Sequence, residues 1–304
     1  MTKFEVLILG NSSATPMYGR HPTSQVLNFN EQLFLIDCGE GTQMQLFRYG
    51  IKGSRINHIF ISHLHGDHYF GLIGLLSSQH LVGRKNELHL YGPPALKEIL
   101  EVQFKYSDTQ LRYPLIFHAT DEHQEQIIFE NNLLCVRSFP LRHRIPCTGF
   151  RFDEKQRSAS LKKEEVERLH IPASYRRLIK NGVDYVAADG TVYPAKDLTD
   201  TPPPSRSYAY CSDTVVHDDY LEAIRGVDLL YHEATFLHDR VDRAKETFHT
   251  TSLEAAEVAR KVSVKKLLLG HFSARYKDLE PLLTEARTVF FPTELSEEGK
   301  WFLV

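Results

Sequence analysis

Short runs of β-branched and aromatic residues dominate the first half of the chain, and polar residues, glycine or proline separate them. The runs are FEVLILG, QVLNF, LFLID, HIFIS, ELHLYG, PLIFH, QIIFE and LLCVRSF. Runs of this length and composition are typical of β-strands. Two segments between them, GLIGLLSSQHLV and PALKEILEVQFKY, carry apolar residues at helical spacing. The first half is therefore predicted to consist of strands with helices between some of them.

Beyond residue 205, strand and helix patterns alternate more regularly. The predicted strands are SYAYCSD, VDLLYHEA, KKLLLGH and TVFF, and the predicted helices are DDYLEAIRG, TSLEAAEVARKV and LEPLLTEAR. Two β-rich halves of this kind favour a mixed α/β architecture in which helices pack outside two facing sheets.

The stretch from 151 to 205 differs from both halves, because it is rich in charge and poor in strand patterns. We interpret it as an insertion with two short helices, SLKKEEVERLH and PASYRRLIKNG, followed by the hairpin-like segment DYVAADGTVYP. Between Arg151 and Lys180 there are nine Lys and Arg residues against five Asp and Glu. Most charge runs are simply solvated helix faces, so the local basicity alone leaves the partner open.

The bulk composition excludes several classes of protein. With 304 residues, 42% of them hydrophobic, the chain can bury a core without disulfides, and its four cysteines form no CxxC pair. A net charge of −3 excludes a global attraction to polyanions. No apolar run approaches the roughly 20 residues that span a bilayer, and the N-terminus lacks a signal-peptide pattern. We therefore expect a cytoplasmic protein with no membrane partner.

The loop SHLHGDHYFG concentrates candidate metal ligands directly after the strand HIFIS. It contains His63, His65, Asp67 and His68. Imidazole and carboxylate groups bind borderline cations such as zinc, and nitrogen and oxygen ligands also accept manganese and iron. A rigid strand end can hold such ligands in place. The loop therefore predicts a metal site rather than a polar loop that happens to be rich in histidine.

Further ligand types follow other predicted strands. His143 follows LLCVRSFPLR, Asp213 ends SYAYCSD, and His271 ends KKLLLGH. Open α/β sheets place their sites at the carboxyl ends of strands. One loop cannot complete two metal shells, so these three residues are the expected remaining ligands.

At this point the sequence resembles a known superfamily. The His-x-His-x-Asp-His loop with a later His, Asp and His resembles the metallo-β-lactamase superfamily, whose fold is an αββα sandwich around a dinuclear zinc site. Other stretches resemble the ribonuclease Z family of tRNA 3′-processing endonucleases, and the similarity runs from Phe4 to about Tyr276. These stretches are GNSSATP, DCGEGTQMQ, SDT, HEATF, HTT and GHFSARY.

The resemblance implies two zinc ions per chain and a phosphodiesterase reaction. It implies removal of the 3′ trailer from precursor tRNA, which leaves a 3′-hydroxyl on the tRNA and a 5′-phosphate on the trailer. It assigns Asp67 as the proton acceptor. The implied ligands are His63, His65 and His143 for one zinc, Asp67, His68 and His271 for the other, and Asp213 as the bridge between them.

The resemblance also gives roles to residues around the ligands. It implies that His249 contacts phosphate and protonates the leaving group, with Glu233 orienting its ring, although in isolation His249 could simply be a polar residue before a helix. Asp37 is implied to be a buried carboxylate that holds the histidine loop by hydrogen bonds. The group Ser12, Ser13 and Thr15 after the first strand is compatible with phosphate binding and equally with a plain turn.

The family carries a flexible tRNA-binding arm where this chain has its basic insertion. The resemblance thus implies a single domain over residues 1–304 with an inserted arm at about 155–195, precursor tRNA as partner, and a homodimer. The sequence departs from the family at one place. The arm of the family usually has a Gly-Pro pair, whereas the aligned stretch here is Pro172-Ala173-Ser174-Tyr175.

Two other functions remain open at this point. The first is another hydrolase of the superfamily that acts on a small ester, lactone or phosphodiester, which has no need for the basic arm or for HEATF and HTT. The second is a non-catalytic RNA-binding relative whose metal site has decayed. The complete set of seven ligands argues against this second alternative.

Overall fold

The strands and helices of the first half follow the runs expected from the sequence. The computed structural model describes residues 3–304. The first elements are β1 (Phe4–Gly10), β2 (Ser24–Phe29), β3 (Gln32–Cys38), α1 (Thr42–Arg48), β4 (Ile56–Phe60), α2 (Gly66–Tyr69), α3 (Leu72–Leu81), β5 (Leu88–Gly92), α4 (Ala95–Tyr106), β6 (Leu115–Ala119) and β7 (Gln126–Glu130).

The second half contains the insertion and a strand-helix alternation. Three short 3-10 helices complete the structure, at Gly53–Arg55, Asp218–Tyr220 and His238–Arg240. The remaining elements are β8 (Leu134–Leu141), β9 (Cys147–Glu154), β10 (Ser160–Leu161), α5 (Lys163–Arg168), α6 (Ala173–Lys180), β11 (Tyr185–Val186), β12 (Val192–Tyr193), α7 (Ala195–Leu198), β13 (Thr199–Asp200), β14 (Ser207–Cys211), β15 (Leu229–Glu233), α8 (Val241–Thr247), α9 (Ser252–Lys261), β16 (Lys266–Gly270), α10 (Glu280–Arg287), β17 (Thr293–Leu295) and β18 (Trp301–Leu303).

Two seven-stranded sheets form the framework. The first has the strand order β18-β1-β2-β3-β4-β5-β6, and the second has the order β17-β16-β15-β14-β9-β8-β7. Strands β3 to β6 run parallel to one another, and so do β14 to β17. Because parallel strands end at the same edge of a sheet, each sheet gathers the loops that follow these strands along one edge.

Aromatic side chains fill the space between the two sheets. The ring of Phe60 in the first sheet lies 5.4 Å from Phe150 and 5.6 Å from Phe152 in the second, and Phe34 lies 6.0 Å from Phe152. On its outer face the first sheet packs against leucines of α1, α3 and α4, and the second packs against α9 and α10. This layering confirms the αββα sandwich of the metallo-β-lactamase type.

Two of the predictions for the last part of the chain need correction, and two elements there were not predicted. TVFF is not a strand, because the amides of Val289 and Phe290 bond to Ala286 at the end of α10, and β17 begins only at Thr293. DDYLEAIRG forms a 3-10 helix at Asp218–Tyr220 and a turn instead of an α-helix. Helix α8 and strand β18 were not predicted. Short elements of this kind depend on tertiary contacts more than on local pattern.

Residues Glu130–Cys135 and Asp153–Ser205 form a compact unit of their own. Both predicted helices are present as α5 and α6, and the predicted hairpin is β11 paired with β12. A small apolar core holds this unit together. It consists of Val166, Ile171, Ile179, Tyr185, Ala195 and Leu198.

The other structural expectations concern cysteines and membranes. All four cysteines are free and buried. Within residues 3–304, none of the helices has the length and apolar character needed to cross a bilayer.

Candidate active site and metal centre

Most of the candidate site residues come from the carboxyl ends of parallel strands in the two sheets, whereas His143 follows β8 and His249 lies between α8 and α9. The histidine loop follows β4, Asp213 follows β14, Glu233 is the last residue of β15, and His271 comes directly after β16. His271 has a φ of 58°, in the left-handed region that non-glycine residues rarely occupy. The fold therefore brings together ligand types that are up to about two hundred residues apart in the sequence.

The first cluster consists of three imidazoles and one carboxylate. Nδ1 of His65 lies 3.2 Å from Nε2 of His63 and 3.1 Å from Nε2 of His143. Oδ2 of Asp213 lies 3.6 Å from His63 Nε2 and 3.7 Å from His143 Nε2. All four ligand atoms lie within 4.8 Å of one another, so this group could hold a metal ion.

The second cluster lies on the other side of the same carboxylate. Nε2 of His68 lies 3.3 Å from Nε2 of His271, which in turn lies 3.3 Å from Oδ2 of Asp67. Oδ1 of Asp213 lies 3.3 Å from His68 Nε2 and 3.2 Å from His271 Nε2. Asp213 thus presents one oxygen to each cluster.

These distances and donors fit metal binding. Two ligand atoms at 2.0–2.1 Å from one tetrahedral zinc ion lie about 3.3–3.4 Å apart, close to the separations of the ring nitrogens here. Asp213 Oδ1 is buried, and apart from the ring nitrogens of His68 and His271 it has no hydrogen-bond partner among the residues that the structure describes. A buried carboxylate needs a compensating positive charge, which a metal cation held by these residues would supply.

The protonation of the histidines agrees with this arrangement. Burial lowers the pKa of His63 well below its usual value and lowers the pKa of His143 to about 4, so both rings are neutral and can donate a lone pair. Burial also opposes charge on His68, but the carboxylates of Asp213, Asp67 and Asp37 outweigh it and raise the pKa of His68. The acidic groups around His68 therefore favour a positive charge at this place, whether a proton or a metal cation.

Asp37 holds the histidine loop in place through hydrogen bonds. Its Oδ1 accepts a hydrogen bond from the amide of Ser62 at 2.7 Å, and its Oδ2 lies 2.8 Å from His68 Nδ1. The hydroxyls of Ser62 and Tyr210 also donate to Oδ2, at 2.9 Å and 2.5 Å. Because Asp37 accepts the proton of His68 Nδ1, it leaves Nε2 free to bind a metal. The hydrogen-bonding role predicted for Asp37 is confirmed.

Glu233 and Thr235 connect His249 to the second cluster. Oε1 of Glu233 lies 2.9 Å from His249 Nδ1, and Oε2 accepts a hydrogen bond of 2.6 Å from the Thr235 hydroxyl. That hydroxyl also lies 3.0 Å from Nδ1 of His271. Burial disfavours the charged form of His249, but the Glu233 carboxylate raises its pKa to about 9. Thr251 caps α9 with Glu254, which fixes the turn that carries His249.

The loop after β1 reaches Asp67 through its backbone. The amide of Ala14 donates a hydrogen bond of 2.7 Å to Asp67 Oδ2. The hydroxyl of Ser12 donates to the carbonyl of Thr15, and the amide of Ser13 donates to the carbonyl of Phe272. The Ser12 bond closes a turn, whereas the Ser13 bond ties the loop to the segment after β16. The backbone of this loop thus holds Asp67 through the Ala14 amide.

The structure brings all nine predicted site residues together in one place. Sequence reasoning gave no role to Thr235 and Ala14, although Thr235 lies within the quoted HEATF stretch and Ala14 within GNSSATP. A second hydroxyl, that of Ser212, also lies 2.9 Å from the hydroxyl of Ser62 beneath the site. Two other histidines, His58 and His232, are also buried in the framework. The nine residues are His63, His65, Asp67, His68, His143, Asp213, Glu233, His249 and His271.

Comparisons with known proteins place this geometry in a family. The family model described as anti-Pycsar protein Apyc1 matches residues 4–158, just over half of the chain. That half includes the histidine loop and His143 but ends before Asp213, Glu233 and His271. The model therefore covers only part of the site described above.

The relatives extend over nearly the whole chain. Ribonuclease Z of Bacteroides thetaiotaomicron is 48% identical over 98% of this chain and 95% of its own length. Ribonuclease Z of Phocaeicola vulgatus is 47% identical over 98% of this chain and 96% of its own length. Among solved structures, the short form of human tRNase Z matches with a TM-score of 0.70 and 28% identity, over 98% of each chain. This chain belongs to the ribonuclease Z family.

Proposed function

We propose that this protein is a metal-dependent endoribonuclease that removes the 3′ trailer from precursor tRNA, leaving a 3′-hydroxyl on the tRNA and a 5′-phosphate on the trailer. One observation carries the proposal. The nine predicted residues converge on a single edge of the fold, in a chain that is 48% identical to a ribonuclease Z over 98% of its length.

The donor set supports two zinc ions per chain. Imidazole and carboxylate ligands at these separations suit zinc. When bound, zinc would promote deprotonation of water and offset the negative charge of the phosphodiester. The first cluster would hold one ion and the second cluster the other, with Asp213 between them. The proposed holders are His63, His65 and His143 on one side, and Asp67, His68 and His271 on the other.

Asp67 is proposed as the proton acceptor for the attacking water. Burial opposes its charge, but His68 and His271 lower the pKa of Asp67 well below its usual value, so the carboxylate is ionised. Its Oδ2 accepts the Ala14 amide and faces His271. Oδ1 is then the oxygen that is left to take a proton. The water would attack phosphorus in line with the departing ribose 3′-oxygen.

His249 is proposed as the proton donor to that departing oxygen. Its Nδ1 faces Glu233, so Nε2 lies on the opposite side of the ring and is directed away from that carboxylate. Glu233 therefore fixes the ring and stabilises its protonated form. General acid catalysis by a positioned histidine contributes roughly 10²–10⁴-fold to a rate.

The decisive experiment is cleavage of precursor tRNA with mapping of both new ends. The wild-type protein should cut once at the tRNA 3′ end, and Asp67→Ala should be slower by about 10²-fold or more. Asp242→Ala, which removes an exposed carboxylate of α8, is the matched control and should cut at the wild-type rate. Equal rates for wild type and Asp67→Ala would remove Asp67 from the mechanism. Absence of cleavage by a metal-loaded wild type would favour the small-substrate hydrolase.

The inserted unit is proposed to bind tRNA phosphates, despite the missing Gly-Pro pair. Helix α6 exposes Arg176, Arg177 and Lys180 on one short segment. Phosphate contacts need charge but no sequence readout. Replacing Arg177 and Lys180 by alanine should weaken binding at low salt and reduce the slope of log K against log salt by about 2. Arg168→Ala is the control, because the Arg168 guanidinium already pairs with Glu165. If Arg168→Ala weakened tRNA binding as much as the combined replacement of Arg177 and Lys180, the proposal would be contradicted.

A homodimer is the proposed assembly, and α1 offers a surface for it. Met44 and Phe47 lie one helical turn apart, and they are 73% and 88% exposed. Neighbouring exposed apolar side chains on one helix face form a contiguous patch, and such patches are typical of interfaces. Phe47→Asp should shift the mass measured by light scattering from dimer to monomer. Phe291→Asp, at a side chain that is 78% exposed, should not. A wild type that is monomeric at micromolar concentration would contradict the proposal.

A further inference from the structure

A second cavity adjoins the candidate metal centre along the edge of the first sheet. Three successive parallel strands, β4, β5 and β6, end at this cavity, which has a volume of about 930 Å³. His65, a member of the first cluster, belongs to its wall. The wall otherwise includes Leu64 after β4, Pro93 and Pro94 after β5, and Ala119 at the end of β6.

The chemistry of this cavity is unsuited to a phosphate group. No lysine or arginine lines it among the residues that the structure describes; its titratable side chains are the carboxylates of Asp121 and Glu122 and the imidazoles of His65 and His123. Carboxylates repel phosphate, but they accept hydrogen bonds from the amino and imino groups of bases. Pro93, Pro94 and Ile145 offer apolar surface to the face of a flat ring. A nucleobase satisfies both features.

The neighbouring cavity carries side chains of both charges. It has a volume of about 570 Å³, and its wall includes Arg142, His143 and Arg144 together with the carboxylates of Glu122, Glu125 and Asp219. The two cavities share Glu122, His123, Ile145 and Pro146 as a common wall. Of the two cavities, arginines line only the one on the His143 side, so an RNA strand that crosses the metal centre would meet guanidinium groups there and an apolar, acidic cavity on the His65 side.

We propose that the cavity beside His65 binds one unpaired nucleobase next to the phosphodiester that is cut. This inference rests on the proposed function and names a subsite for it. Bases in a duplex hide their faces by stacking, whereas unpaired bases can turn outward into a protein pocket. The subsite would thus select RNA that is single-stranded at the cut and would hold the strand in position.

The test combines one protein change with one substrate change. Ala119→Trp fills the cavity from the exposed end of β6, and Ile116→Trp places the same ring on the same strand, at a side chain that is 38% exposed and outside the cavity wall. The substrates are intact precursor tRNA and two forms with a single abasic nucleotide, directly 5′ or directly 3′ of the cut. Thermal unfolding and bound metal are measured first, so that a folding defect is not mistaken for a lost subsite.

One abasic substrate should raise KM of the wild type by about 5- to 150-fold with little change in kcat, which is the range that base stacking of about 1–3 kcal/mol gives. The position of the effect tells whether the base belongs to the tRNA end or to the trailer. Ala119→Trp should raise KM for the intact substrate by a similar factor, and removing the base should then cause no further rise in KM. Ile116→Trp should have the KM values of the wild type for all three substrates.

Two results would overturn the inference. The first is that the wild type has the same KM for both abasic substrates as for the intact one. The second is that removing the base raises KM by the same factor in the wild type and in Ala119→Trp. Either result can occur while the wild type still cuts intact precursor tRNA. Failure of the subsite is therefore distinct from failure of the proposed function, in which the intact substrate itself is not cut.

Discussion

Replacing Asp37 by asparagine should weaken metal binding at one site without changing the shape of the fold. Asparagine has the same size as aspartate and tolerates the φ of 55° found at this position. The amide of Ser62 must still donate to an oxygen, so the oxygen of the new side chain takes the place of Oδ1. Its NH₂ group then replaces Oδ2 and faces His68 Nδ1 and the hydroxyls of Ser62 and Tyr210.

The consequence falls on the tautomer of His68. The two hydroxyls can rotate to accept, but Nδ1 of His68 can no longer donate and must become the acceptor. Its proton then moves to Nε2, the atom that lies 3.3 Å from His271 Nε2 in the second cluster. A protonated nitrogen has no lone pair for a metal. Changes in groups that orient metal ligands cost about 10–100-fold in metal affinity, which corresponds to about 1.4–2.8 kcal/mol.

The assay is competition for zinc between the protein and a chromophoric chelator. Asp37→Asn should lose affinity at one of two sites, with slower cleavage of precursor tRNA at limiting zinc. Asp228→Asn is the matched control, because Asp228 also accepts bonds from a serine amide and hydroxyl, of Ser207, but contacts no histidine. The Asp228→Asn variant should have a lower free energy of unfolding and an unchanged zinc affinity. Wild-type affinity at both sites of Asp37→Asn would refute the tautomer argument.

Three further predictions follow from single contacts. Thr235→Val removes the hydroxyl between Glu233 and His271, so zinc affinity should fall about 10–100-fold. Thr235→Ser keeps a hydroxyl and should retain the wild-type zinc affinity. Equal zinc affinities of the two variants would contradict the role of the hydroxyl. Gly149→Ala would put a Cβ 2.3 Å from the ring of Phe139, so urea unfolding should show a loss of about 1–3 kcal/mol. Removal of metal by a chelator should lower the Tm, because a ligand present at 100 times its Kd stabilises by about 2.7 kcal/mol; an unchanged Tm would argue against a resident metal.

The sequence was sufficient to predict which proposed ligands lie close together, because all of them follow strand ends. A hydrophobic run that ends in His271 or Asp213 predicts both the strand and the side chain at its edge. Supporting contacts are different. The Thr235 hydroxyl meets His271 across 36 positions of sequence, and the Ala14 amide meets Asp67 across 53, and a backbone amide leaves no trace in residue type.

The errors in the fold have a similar cause. TVFF has the composition of a strand, yet the end of α10 takes up its amides. The hydrophobic pattern of a sequence does not show whether a backbone amide will bond to a neighbouring strand or to the end of a helix. In DDYLEAIRG the apolar residues Tyr220, Leu221 and Ile224 are buried. Their spacing suits a 3-10 turn as well as an α-helix, so the apolar pattern did not distinguish the two.

The order in which the site residues occur along the chain has a consequence for biosynthesis. Five of the seven proposed ligands, the four of the histidine loop and His143, leave the ribosome before any part of β14 to β16 exists. His68 must wait for His271, a contact across 203 positions of sequence. Asp213, the carboxylate between the two clusters, also arrives late. An unfinished chain therefore has neither cluster complete, so nuclease activity can begin only when the last parallel strands have joined the second sheet.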